Sequence, residues 1–235
     1  MDTYASNNSK WKKLHSKSEI RNSINATIKN IVLRKSEILI DDNVNRILEI
    51  GCGFGRNLKY LMQTNFSNEY YGIDITSNSI KNCYKNLKYL NDNQNLNLKV
   101  NDAGEGIKFE SNYFDLVFDI MSAITFIDNE KERNKYFSEV IRVLKPNGSY
   151  IFLCASNLGK FDDIFTDKDL FEKGYVKRKM DSMLEKIYSY DELVELLKPL
   201  EILELKSVSN HTRAFGDENF ERQNGFWFGH FKKHK

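Results

Sequence analysis

Residues Val44 to Leu61 read VNRILEIGCGFGRNLKYL: an apolar run, an acidic residue, glycines at 51, 53 and 55, and then a helix-like pattern. An apolar run that ends in closely spaced glycines, with a helix opening directly behind, is the first strand, turn and helix of a nucleotide-binding α/β sheet. Glycine suits such a turn because the chain bends sharply and a ligand has to lie against bare backbone. The dinucleotide fingerprint G-x-G-x-x-G does not fit, since its sixth position is Arg56 and the third glycine comes one residue early. The spacing from Glu49 to Gly55 is E-x-G-x-G-x-G.

Downstream, apolar runs suited to buried strands alternate with helical periodicity, as in a parallel sheet with crossover helices. Strands are expected at about 45–50, 69–74, 96–101, 113–119 and 149–154, with crossover helices over 77–91, capped by Ser77, and 130–144. Lys145-Pro146-Asn147-Gly148 stops the second helix in a tight turn for which Gly148 supplies a positive φ. A helix at about 189–198 and β-like stretches near 202–208 and 225–233 complete the pattern, the last two as a hairpin that adds an antiparallel strand. The expected fold is a Rossmann-like, doubly wound α/β sheet of seven strands, mostly parallel, with flanking helices. Residues 1–43, with a helix at about 18–40, and an irregular charged insertion at about 156–187 stand outside this 44–235 domain.

Lys plus Arg (35) nearly balance Asp plus Glu (33), so the net charge of +2 provides no electrostatic footprint for nucleic acid or an anionic membrane. No run approaches the roughly 18 apolar residues of a membrane span, and the first residues lack the apolar core of a signal peptide, so a cytoplasmic location is expected. The three cysteines, 52, 83 and 154, have no metal-like spacing and read as reduced, buried small residues. No local pairing of histidines with carboxylates has metal-ligand spacing either, and no metal is expected.

The run Glu49-Ile50-Gly51-Cys52-Gly53-Phe54-Gly55 resembles motif I of the class I S-adenosylmethionine-dependent methyltransferases. Other segments resemble the family's later motifs in the right order: Asp74 at the end of the second strand, VNDAGEGIKF at 100–109, FDLVFDIMSAITFI at 114–127, Leu144-Lys145-Pro146-Asn147-Gly148, and Tyr188-Ser189-Tyr190-Asp191-Glu192-Leu193. The resemblance implies a methyltransferase that binds S-adenosylmethionine and yields S-adenosylhomocysteine. Gly51, Cys52, Gly53, Gly55 and Asn57 would then cradle the methionyl and ribose part, with Glu49 near the ammonium. Asp74 would accept the ribose hydroxyls and Ile75 would lie against the adenine. Asp102 and the Ala103 amide would read the adenine edge, although Asn101 replaces the usual glycine. Asp119 is either an acceptor-site group or a cap for the following helix. Tyr4 and Trp11 either fold over the cofactor as a lid or belong to simple helix packing.

Methyl transfer to carbon's nucleophilic partner requires a base only if the acceptor holds its proton tightly. Of the four histidines, His234 lies in the basic tail, His230 alternates with Trp227 and Phe228 in a strand, and His15 precedes the first long helix. His211, in the loop joining the last two strands, is the candidate base or acceptor contact, with Arg213 as its anion-binding neighbour; a surface loop histidine is the bland alternative. Together with Lys177, Arg178 and Lys179, Arg213 suggests an anionic or sugar-linked metabolite in surface-polysaccharide or natural-product synthesis. The absence of an N/D-P-P-Y/W tetrapeptide argues against nucleic acid. The reading is a methyltransferase of a small molecule at oxygen, acting as monomer or homodimer. A small-molecule N-methyltransferase and a non-catalytic S-adenosylmethionine-binding partner subunit stay open.

Overall fold

The computed structural model describes residues 7–17, 45–64, 68–90, 95–161, 164–165, 167–179, 181–212 and 220–235. A short helix α1 (Asn7–Lys17) precedes β1 (Arg46–Ile50), α2 (Arg56–Thr64), β2 (Glu69–Asp74), α3 (Ser77–Leu87), β3 (Leu96–Val100) and β4 (Phe114–Ile120). After β4 come α4 (Ala123–Phe126), α5 (Glu130–Val143) and the long β5 (Leu144–Ser156). The remaining elements are β6 (Lys160–Phe161), β7 (Ile164–Phe165), α6 (Lys168–Glu172), β8 (Tyr175–Arg178), β9 (Leu184–Tyr188), α7 (Tyr190–Leu196), β10 (Leu200–Thr212) and β11 (Phe220–Lys233).

Strands β3, β2, β1, β4 and β5 lie side by side and parallel. β11 runs antiparallel against Ser149–Ala155 of β5 and carries β10 as the outermost strand. The seven expected strands are therefore present, but within a larger sheet of eleven described strands, and the order reverses between β1 and β4, the place where open α/β sheets bind ligands beyond the carboxyl ends of their strands. Alternation along β1 explains why so short a run nucleates the sheet: Ile47 packs on one face with Leu58, Leu61 and Met62 of α2, and Leu48 and Ile50 pack on the other with Tyr136, Phe137 and Val140 of α5. Both faces are covered, so the strand reads as a continuous apolar run.

Several expectations are corrected. The cap of α3 is Thr76, whose side chain accepts from the Ser79 amide, and Ser77 is the first helical residue. In the turn before the paired part of β5 it is Asn147 that takes the left-handed conformation (φ 66°). Gly148 is needed for a different reason: a Cβ there would lie 2.9 Å from the Lys145 carbonyl and 3.0 Å from that of Phe114. The insertion at 156–187 is not irregular, because β8 pairs with β7 and β9, and β9 continues the sheet by pairing Ile187 and Tyr188 with Ala155 and Ser156 of β5. The expected helix at 18–40 lies outside the described residues, whereas α1 was not foreseen. No described helix is long and apolar enough to cross a membrane.

Candidate functional site

The glycine turn closes on β2: the Gly51 and Cys52 amides both donate to the Ile73 carbonyl, at 2.8 and 2.9 Å. All three glycines have positive φ (69°, 52° and 81°), but each for its own reason. A side chain on Gly51 would collide with Ser122, whose hydroxyl donates to the Ile50 carbonyl and ties the end of β4 to the turn. A Cβ on Gly55 would come within 2.6 Å of Cys83 Sγ and 2.9 Å of Leu87 on α3. A Cβ on Gly53 would meet nothing among the described residues within 4 Å. Gly51 and Gly55 are thus small so that the protein can pack, while Gly53 borders open space.

Directly beneath, Glu49 is buried and accepts from Asn57 Nδ2 at 2.7 Å through one oxygen. Its other oxygen, and Asn57 Oδ1, are buried acceptors with no hydrogen-bond partner among the described residues. Burial raises the Glu49 carboxyl to about 8, against the lowering effect of Asn57 and Arg56. Two buried acceptors without donors are costly, about 1–3 kcal/mol each, and at a helix start they suit a cationic donor such as an ammonium group.

Asp74, at the carboxyl end of β2, accepts from the Gly53 amide (3.1 Å) with one oxygen and from the Thr76 amide and hydroxyl (2.8 and 2.9 Å) with the other. It therefore braces the glycine turn as well as standing where a ribose diol would lie. Ile75 beside it is half-buried. After β3, Asp102 accepts from the Gly104 amide and from Asn8 on α1, both at 3.0 Å, and Ala103 is buried. Asn101, the departure from the family's glycine, organises this loop: its amide donates to the Asp102 and Gly106 carbonyls and accepts from the Lys108 amide. The Cys52 side chain is buried, and a hydrogen bond with Cys83 together with burial holds its thiol well above the usual range.

Asp119 is fully buried, with one oxygen accepting from the Ser122 amide and the other from the Ile124 amide and the Tyr136 hydroxyl. These bonds brace the start of α4, whose N-cap residue is Ser122, and give both Asp119 oxygens a protein donor. Burial still lifts its carboxyl to about 7. Replacing it by alanine strands those donors and is expected to lower the melting temperature by about 6–20 °C, from about 3–5 kcal/mol lost with a buried network; a normal melting curve with only the turnover impaired would point to an acceptor role instead.

The N-terminal segment closes over this edge. Asn7 donates to the Phe126 and Leu184 carbonyls at 2.8 Å, Lys10 reaches the Ser182 carbonyl, and Trp11 packs edge-on to Phe126 with centroids 5.0 Å apart. Trp11 therefore packs on the helix after β4 and on Arg178, while Tyr4 lies outside the described residues. His211 stands in β10, paired with Glu221 of β11, and not in a loop; because β10 runs alongside β5 in direction, its carboxyl end shares the sheet's ligand edge. Arg213 lies outside the described residues. Arg178 is not a free anion receptor, being buried against Asp181, Glu185 and the Phe126 ring. His230 is packed as expected, its Nε2 3.1 Å from Ser149 Oγ. Among the described residues no group of three or more His, Cys, Asp or Glu side chains is arranged to hold a metal ion. Asn7, Asn8 and Thr76 carry no periodic or motif signal in the sequence, and Ser122, although inside the 114–127 segment, is not marked there as a contact of the glycine turn.

A family model described as a methyltransferase domain matches residues 41–215. The chain belongs to this family. It is 29% identical over 110 residues to a fatty-acid O-methyltransferase of Mycolicibacterium smegmatis, covering 47% of this chain and 37% of that protein. It is 26% identical over 172 residues to the methyltransferase GfsG of Streptomyces halstedii, covering 73% and 58%. The chain thus spans well under two thirds of either relative. In fold it is similar to a crystal structure of a S-adenosylmethionine-dependent methyltransferase from Methanosarcina mazei (TM-score 0.63, 22% identity, 83% of this chain and 94% of that one). The methyltransferase domain accordingly has the residues for S-adenosylmethionine: an open glycine backbone, a carboxylate at the end of β2 and orphaned buried acceptors at the start of α2.

Proposed function

We propose that the protein transfers a methyl group from S-adenosylmethionine to a small-molecule acceptor at oxygen. The observation that carries this reading is the pair of unpartnered buried acceptors, Glu49 Oε2 and Asn57 Oδ1, next to the open face of Gly53. In this reading Glu49 and Asn57 hold the amino end, Asp74 the ribose diol, and Asp102 with the Ala103 amide the adenine edge. The cofactor supplies an electrophilic methyl on a sulfonium, so the chain's own part is to orient the acceptor and exclude water. The short helix α4, fixed by Asp119 and Ser122, and α1, fastened by Asn7, form a cover suited to that task. The similarity to a fatty-acid O-methyltransferase supports oxygen as the acceptor atom.

Calorimetric titration with S-adenosylhomocysteine, followed by detection of its formation from S-adenosylmethionine and candidate acceptors, tests the reading. Asp74→Asn is expected to weaken binding about 10–100-fold, as hydrogen bonds to a charged group contribute about 1.5–3 kcal/mol. Unchanged affinity in that variant removes the ribose role, and no binding by the native chain removes the proposal.

A further inference from the structure

Asn157 directly follows β5, at the sheet edge that carries the glycine turn. Its backbone amide donates to the Tyr188 carbonyl at 3.0 Å. Its side chain has no hydrogen-bond partner among the described residues, and Oδ1 is buried. Such an atom in a native fold calls for an explanation, because buried polar groups are paired as a rule. Two residues earlier along the chain, Ala155 packs with Val176 and Ile187, and Met121 and Ile164 close on that cluster. Met121 immediately precedes Ser122, which touches the Ile50 carbonyl at the glycine turn, so this apolar wall adjoins the cofactor cradle. The insertion's buried cations are already committed, Arg178 to Asp181 and Glu185 and Lys186 to Glu192.

We propose that Asn157 determines acceptor specificity by hydrogen-bonding the polar head of a neutral, largely apolar molecule whose body lies against Met121 and Ile164, the partly exposed members of that cluster. The inference rests on the methyltransferase reading above and narrows its acceptor. Apolar walls with one well-placed polar group are the usual form of a small-molecule site. In the transfer, the acceptor oxygen bonds the methyl carbon and the carbon–sulfur bond breaks with its electron pair left on sulfur. The hydroxyl proton goes to water, the amide oxygen orienting the O–H without taking it.

The test uses the full chain saturated with S-adenosylhomocysteine and two matched probes, para-pentylphenol and para-pentylbenzoate, titrated by calorimetry. The phenol is expected to bind at least about tenfold more tightly than the carboxylate, and Asn157→Leu to weaken the phenol by about tenfold or more, the loss of one hydrogen bond. The same variant keeps its affinity for S-adenosylhomocysteine and, losing no native hydrogen bond, keeps its melting temperature to within about 3 °C. Equal or tighter binding of the carboxylate, no binding of the phenol, an unchanged phenol affinity in the variant, or a larger fall in melting temperature would each overturn the proposal. Asn157→Ala serves in the same way should the leucine not be accommodated. Failure of the native chain to bind S-adenosylhomocysteine sinks the underlying reading instead, so the two failures are distinguishable.

Discussion

Gly53→Val is expected to reduce S-adenosylhomocysteine affinity by more than about 100-fold while the protein stays folded, and Gly55→Val to do the reverse, lowering stability first. A Cβ at Gly53 has no atom of the described residues within 4 Å, so its cost to the fold comes mainly from a positive φ of 52°, about 1–2 kcal/mol for an ordinary residue. The added atoms would, however, fill the space in which a ligand approaches the backbone. At Gly55 the same atoms press on Cys83 and Leu87 in the second core cluster. Overpacking of that kind costs about 1–3 kcal/mol beyond the φ strain, and at about 2–4 °C per kcal/mol for a chain of this size the melting temperature should fall by about 5–15 °C. Thermal melts and calorimetry on the two variants separate the roles. If Gly53→Val binds normally, the open space beside it is not where the cofactor lies.

The contrast between these glycines shows what the sequence could carry. Turn, strand and crossover helix are coded locally, and E-x-G-x-G-x-G fixed β1, the turn and α2 because left-handed backbone and alternating burial are properties of adjacent residues. The spacing says nothing of which glycine faces ligand and which faces protein, since Ser122 and Leu87 reach the turn only after folding. The same limit explains Asp119, whose bonds depend on the chain folding into a four-residue helix with Tyr136 from another helix beside it. Arg178 departs from its sequence pattern for a simpler reason. Lys177, Arg178 and Lys179 look like a solvated charge run, but β8 alternates, and Val176 and Arg178 share the buried face. The clasp of α1 was illegible because its hydrogen bonds join residues 94 to 177 positions apart. Thr76 in place of Ser77 is a one-residue boundary shift of the ordinary kind.

Glu49 leads to the second large effect, a pH dependence of cofactor binding. In the ligand-free chain burial holds its carboxyl at about 8, with Asp119 adding to the rise and Asn57 and Arg56 opposing it. An ammonium group bonded to its free oxygen would favour the ionised form and draw that value down. The sign follows: below about 8 the empty site is mostly protonated, so binding releases a proton and affinity for S-adenosylhomocysteine rises with pH, by at most about tenfold per unit. Above that value the rise stops, and affinity falls again once the ligand's own amine loses its proton. Titrations at intervals between about pH 6 and 9, in two buffers of different ionisation enthalpy, read both the slope and the proton released. Glu49→Gln removes the titrating group but keeps the shape, and should weaken binding at high pH while flattening the rising limb. It should also stabilise the ligand-free chain at alkaline pH, because the folded-state value lies above the ordinary carboxyl value of 4.5 and the unpaired charge therefore costs stability as pH rises between the two. A native profile with no rise below pH 8, or a glutamine variant that keeps the native slope, would separate Glu49 from the amino group and leave Asn57 as the residue that holds it.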